Sequence, residues 1–212
     1  MERKSNYLIQ AQQAKQTFLG YDQEKLIAKL KLRCDEAYLY TALLSQPYRI
    51  HRRTADISRL KDGQWVDGNS HAEVMTLLDL ICDSRETRYL ACKWKNMSDF
   101  GQMFHRDLLD GHRNAYAVCF DADPESFRRA CAALGGTPLP IGDVAYAIDF
   151  FDGLPIAVQL WFGDEEFPPA LRYLWDANAD MYLKYETMYF ALDILLAFLS
   201  EHMPAPPPAP LW

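Results

Sequence analysis

The chain has 212 residues, half of them hydrophobic and about a quarter charged, a composition that suits one sizeable core or two small ones sharing an interface and excludes a mainly disordered chain. Its formal net charge of −7 and isoelectric point near 5.2 point away from nucleic acid as a partner, because affinity there comes from Lys and Arg neutralising phosphates. No stretch approaches the roughly 18 apolar residues of a membrane span. The first residues lack an apolar signal segment, and Cys34, Cys82, Cys92, Cys119 and Cys131 form no CxxC pair. The expectation is a cytoplasmic protein with reduced, mostly buried thiols, and no membrane partner.

Residues 6–33 read as helical, broken near Gly20, with Asp22 capping the second segment. Residues 37–44 have strand composition. Ser45-Gln46-Pro47 reads as a turn, and Tyr48 to Ile57 as the returning strand. The basic run Arg49-Ile50-His51-Arg52-Arg53 inside it suggests a solvated edge or surface strand, with an anion contact as the alternative. Asp62-Gly63 and Asp67-Gly68 are turn signals that place Trp65 on a short connector. Asn69 or Ser70 caps a helix with the stripe Val74, Leu77, Leu78 and Ile81.

Residues 85–111 suggest a loop followed by a short helix, with Asp110-Gly111 as a turn. Asp123-Pro124 opens a helix that Gly135-Gly136 ends. Residues 144–150 and 156–162 then form strands joined by Asp152-Gly153, a strong hairpin signal, with Pro155 at the start of the returning strand. From Asn178, an apolar stripe at Met181, Tyr185, Met188, Leu192, Leu195 and Leu199 predicts an amphipathic helix of about six turns, facing a core or a homodimer partner. The run from Pro204 to Pro210 favours an extended polyproline conformation. The expected fold class is α+β, an antiparallel or mixed sheet of hairpins packed against helices, with two similar α-β-β-α halves as an option. The expected organisation is a single domain over residues 1–203 and a proline-rich tail over 204–212.

Catalytic motifs are absent: no G-x-S-x-G elbow and no glycine-rich phosphate loop occurs. His105 and His112, with Cys119 or Asp110, lack a dense ligand spacing, so no metal site is predicted. The remaining candidate is the acidic turn Gly163-Asp164-Glu165-Glu166-Phe167-Pro168-Pro169. One reading makes it a helix start, the acids facing the helix dipole and the prolines opening a helix through Leu171 to Trp175. The other lets the clustered acids raise one carboxyl pKa or offer oxygens to a hard cation. Asp143 and Asp176 could join them from neighbouring elements, although Asp176 could instead cap the last helix. Trp161 and Tyr182 would supply aromatic walls.

The stretches Ile141-Gly142-Asp143-Val144, Leu160 to Pro168, Leu174-Trp175-Asp176-Ala177-Asn178-Ala179, Tyr182-Leu183 and Glu186 occur in the order of a family pattern. They resemble the bacterial and archaeal family called domain of unknown function 3786, with a G-D-V strand start, a W-x-G-D-E-E-F-P turn and an F-D-x-x-A-x-x-Y-L-x-x-E helix. Trp175 stands where the pattern has Phe, and Met181 precedes Tyr182. The likeness is clear over residues 135–199 and looser before them. It implies an accessory role in anaerobic metabolism. Some members carry an iron–sulfur domain, but no cluster-type cysteine spacing occurs here. The family has no assigned catalytic residues, so none transfers, and no cofactor is implied.

Three readings of function follow. The first is a cytoplasmic small-molecule or cofactor-binding accessory protein, drawing on Asp143, Trp161, Asp164, Glu165, Glu166, Asp176 and Tyr182. The second is a hydrolase-like enzyme using the acidic-turn carboxylates. The third is a structural module that dimerises through the last helix.

Overall fold

The computed structural model describes residues 6–101 and 106–203, with the backbone alone over 106–113. The proline-rich run and the side chains of His105 and His112 lie outside the described residues. The architecture is α+β, with antiparallel sheets. The chain divides into two compact units, Met1–Tyr89 with Asp180–Ala191, and Leu90–Ala179 with Leu192–Trp212.

The first unit opens with helices α1 (Asn6–Leu19) and α2 (Gln23–Leu30). The Asp22 carboxylate accepts the N–H groups of Glu24 and Lys25, two of the donors that a helix start leaves unpaired. A meander follows: β1 (Arg33–Cys34), β2 (Tyr38–Leu43), β3 (Gln46–His51), β4 (Ile57–Lys61) and β5 (Gln64–Val66), neighbours in sequence lying side by side. Its inner face buries Leu39, Leu43, Tyr48, Ile50 and Ile57. Helix α3 (His71–Asp83) begins with a reciprocal Ser70–Glu73 capping box and buries Val74, Leu77, Leu78 and Ile81. The Tyr48 hydroxyl donates to Glu73 Oε1 at 2.6 Å, joining sheet to helix.

Several sequence expectations need correction here. Tyr48 to Ile57 is not one strand, because the chain turns between β3 and β4. The basic run starts on β3, the middle strand, so it is not at an edge. Arg49 is accommodated there by stacking, its guanidinium 4.2 Å from the Tyr38 ring centre and 4.7 Å from that of Trp65. Trp65 is part of β5 rather than a connector. The turn after β2 is Leu44-Ser45, both left-handed at φ 49° and 62°.

The second unit contains β6 (Trp94–Asn96), α4 (Arg106–Ala122), α5 (Pro124–Ala133), β7 (Thr137–Leu139), β8 (Val144–Phe151), β9 (Leu154–Trp161) and β10 (Ala170–Asp176). Its sheet has the order β6-β10-β9-β8-β7. Gly111 lies within α4, so Asp110-Gly111 is not a turn. Asp152-Gly153 makes the expected two-residue hairpin, with φ 51° and 81°. Ile148, Phe150, Ile156, Val158, Leu160 and Trp175 are buried, and Phe150 meets Trp175 edge to face.

Residues 171–175 are strand, not helix. Pro168 and Pro169 hold the residues before them extended, and β9 supplies the pairing partner along Ala170 to Trp175. The last helix, α6 (Tyr185–Ser200), starts later than Asn178 because Ala179–Met181 forms a short 3-10 turn. Met188, Leu192, Leu195 and Leu199 of its stripe are buried. No described helix is long and apolar enough to cross a membrane. Cys82 and Cys131 are buried, whereas Cys34 and Cys92 are exposed, so the thiols are less buried than composition suggests.

Candidate functional site

The acidic turn is the loop Phe162–Pro169 between β9 and β10, closed by the pairing of Trp161 with Ala170. It cannot stabilise a helix start, since a strand follows. Its order comes instead from carboxylates accepting backbone N–H groups. Asp164 Oδ1 accepts from Phe167 at 2.7 Å and from Glu166 at 2.8 Å, and the Asp164 N–H donates to the Phe167 carbonyl at 2.9 Å. The N–H of Phe167, then that of Glu166, holds the Asp164 carboxyl below its ordinary range.

Two further carboxylates fix the loop from outside. Asp143, just before β8, accepts the Phe162 N–H at 2.8 Å. Asp121, in the last turn of α4, accepts the Gly163 N–H at 3.2 Å. Gly163 is required by packing: a Cβ there would lie 2.8 Å from Pro169 Cδ.

What the loop presents is aromatic and acidic. Trp161, Phe162 and Phe167 are 38%, 40% and 66% exposed, and Glu165 and Glu166 are exposed beside them. The Arg172 guanidinium of β10 lies 5.4 Å from the Trp161 ring centre. Asp121 and Gly163–Pro169 line an open depression of about 590 Å³. Among the described residues, no group of three or more His, Cys, Asp or Glu side chains could hold a metal ion.

The structure thus brings together Asp143, Trp161, Asp164, Glu165 and Glu166. Asp176 ends β10, a seven-residue strand that begins at the loop, so roughly 20 Å of chain separates the two at the usual strand rise. It is 2% exposed and accepts the N–H groups of Ala91 (2.9 Å), Cys92 (2.7 Å) and Asn178 (2.9 Å), so it organises the opposite end of the strand. It does not cap α6. Tyr182 belongs to the first unit, is 4% exposed and has the Arg88 guanidinium 5.9 Å from its ring. Asp121 and Arg172 escaped sequence reasoning. Arg172 was findable once β10 was read as a strand, whereas nothing local marks Asp121.

A separate ionic cluster lies in the first unit. Lys184 Nζ is 3.1 Å from Asp79 Oδ1 and also meets Asp83 Oδ2, while the Lys184 N–H donates to Asp79 Oδ2 at 3.0 Å. The Tyr21 hydroxyl donates to Asp83 Oδ1 at 2.6 Å, a bond that, with burial, pushes Tyr21 up to about 12. Burial pushes the Asp83 carboxyl upward, but the Lys184 and Tyr21 hydrogen bonds outweigh it and leave it below its ordinary value. Lys29 Nζ donates to the Cys82 and Ser84 carbonyls, both at 2.9 Å, closing the end of α3. These contacts join elements of the first unit.

Fold and loop together define an α+β protein with two antiparallel sheets and an ordered acidic–aromatic hairpin loop. The chain belongs to the family described as domain of unknown function (DUF3786), whose model matches residues 22–197. No curated protein and no solved structure matches it.

Proposed function

We propose that the protein is a cytoplasmic accessory binding protein whose contact element is the β9–β10 loop. Its guest is a guanidinium-bearing segment of a partner protein. The observation carrying this reading is the combination of exposed Trp161, Phe162 and Phe167 with Glu165 and Glu166 on a loop held rigid by Asp121, Asp143 and Asp164. Exposed aromatics on an ordered loop are a common mark of an interaction site. Negative charge beside aromatic faces suits an arginine, which ion-pairs and stacks at once. Arg172 over Trp161 is a precedent for that stacking within the chain itself.

A hydrolytic use of the same acids has less support. Asp121, Asp143 and Asp164 accept backbone N–H groups, and Glu165 and Glu166 border an open depression rather than a closed cleft. The small-molecule reading remains distinguishable from the peptide one, because an open shelf offers a lone small cation few contacts.

Titration with a tetra-arginine peptide, a tetra-lysine peptide and free arginine tests the proposal. The arginine peptide should bind more tightly than the lysine peptide at about 0.15 M salt, where surface charge alone is strongly screened. Trp161→Leu and the double change Glu165→Gln/Glu166→Gln should each weaken it by about tenfold, as expected for the loss of roughly 1.4 kcal/mol. Equal binding of both peptides, untouched by either variant, contradicts the reading. Binding of free arginine as tight as the peptide returns the site to the small-molecule class.

A further inference from the structure

We infer that His71 is an acid-released latch for the N-terminal half of α1. The inference does not depend on the function proposed for the β9–β10 loop, because every residue it uses lies in the first unit. The His71 imidazole is the first residue of α3 and meets two rings edge-on, Tyr7 of α1 at 5.0 Å between centres and Phe190 of α6 at 5.1 Å. Its Nε2 is buried and has no hydrogen-bond partner. The neutral imidazole tolerates this when Nε2 is the unprotonated nitrogen. The imidazolium does not, since both ring nitrogens then carry protons that need acceptors.

Among the described residues of this unit, the carboxylates on α3 and α6 have other partners or are exposed. Helix α1 has one charged side chain, Lys15, and no acid in its first turn. On α3, the nearby Glu73 accepts the Ser70 N–H and the Tyr48 hydroxyl, while Asp79 and Asp83 meet Lys184 at the far end. On the part of α6 in this unit, Glu186 is exposed, and the Tyr185 and Tyr189 hydroxyls pair with each other. A positive charge at the first position of α3 also opposes the positive end of that helix's dipole. Burial accordingly lowers the pKa of His71 from its ordinary value.

The direction of the effect follows. Above the ordinary histidine value of about 6.5, His71 is neutral whether α1 is docked or released, and docking is unaffected by pH. As pH falls through that value the released form takes up the proton first, so docking weakens with acid. The other end of α1 keeps its anchors over the same range. Phe18 is fully buried, and Lys15 meets Asp56 at 2.7 Å, a bond that holds the Asp56 carboxyl below its ordinary value. Helix α1 also precedes the residues matched by the family model, as expected of an appendage whose loosening leaves the remaining fold in place.

Hydrogen exchange of the whole protein at about pH 7.5 and about pH 5.5, corrected for intrinsic rates, reads the latch directly. Amides of residues 6–13 should lose protection in acid, by several-fold and at most about tenfold at pH 5.5, where a free imidazole is about nine-tenths protonated, while residues 15–19 change little. His71→Phe keeps a ring in the slot and removes the charge, so its residues 6–13 should be equally protected at both values. If that variant folds poorly, NMR titration of wild-type His71 decides instead, with a midpoint below 6.5 expected. Equal acid-induced loss in wild type and His71→Phe, or an ordinary His71 midpoint, overturns the inference.

Discussion

Asp176 shows how one buried carboxylate fixes backbone far away in sequence. Ala91, Cys92 and Asn178 each donate an N–H to it, and Cys92 is held at φ 55°, a left-handed value that a non-glycine residue adopts only under constraint. Asp176→Ala removes three acceptor contacts at once and takes the partner away from three part-buried bonds. Unfolding measured by urea titration should show a loss of about 3 kcal/mol, from the usual cost of stranding such groups. A loss under about 1 kcal/mol would mean that water replaces the carboxylate. Asp176 reads from sequence as a carboxylate that joins the acidic turn from a neighbouring element or caps the last helix, and the residue type alone could not separate a site role from a structural one. Only burial and the identity of its donors do so.

At the scale of elements, legibility followed the strength of local chemistry. Asp22, Ser70 and Asp123 announce helix starts because each cap is satisfied within a few residues; Asp22 and Asp123 occur as read, and of the alternatives Asn69 and Ser70 it is Ser70 that caps. Asp152-Gly153 likewise specifies its hairpin. Leu44-Ser45 adopts the same kind of two-residue turn without the customary Asn or Gly, and buried Leu44 is held there by packing. That turn was invisible from sequence because tertiary burial, not local preference, selects it. Ser45 is exposed at φ 62°, so Ser45→Gly should relieve left-handed strain and raise stability by up to about 1 kcal/mol. A lower melting temperature would show that the added freedom of the unfolded glycine chain outweighs the relief. The larger misreading, residues 171–175 as helix, came from taking Pro168-Pro169 as a helix opening. Prolines also suit the approach to a strand, and the deciding partner, β9, is not a local signal.

Across the whole molecule, the α+β class and the family were legible, the latter from a motif spread over residues 141–186 and matched by a model spanning 22–197. The pairing of β6 with β10, which joins residues 94–96 to residues 174–176, was not, because no periodicity encodes a partner so distant. Half of the candidate site suffered the same limit: Asp143 and the loop acids were visible in a single motif, whereas Asp121 arrives from α4. The acidic turn thereby changes from a presumed helix start into a rigid, acidic–aromatic presentation loop. NMR observation of the Trp161 indole N–H during titration with a tetra-arginine peptide tests that claim most directly. Saturable shifts at Trp161 and at the amides of Glu165, Glu166 and Phe167, with Trp65 and Trp175 unmoved, are the predicted result. Silent resonances at these positions, or equal shifts at all the tryptophans, would contradict it.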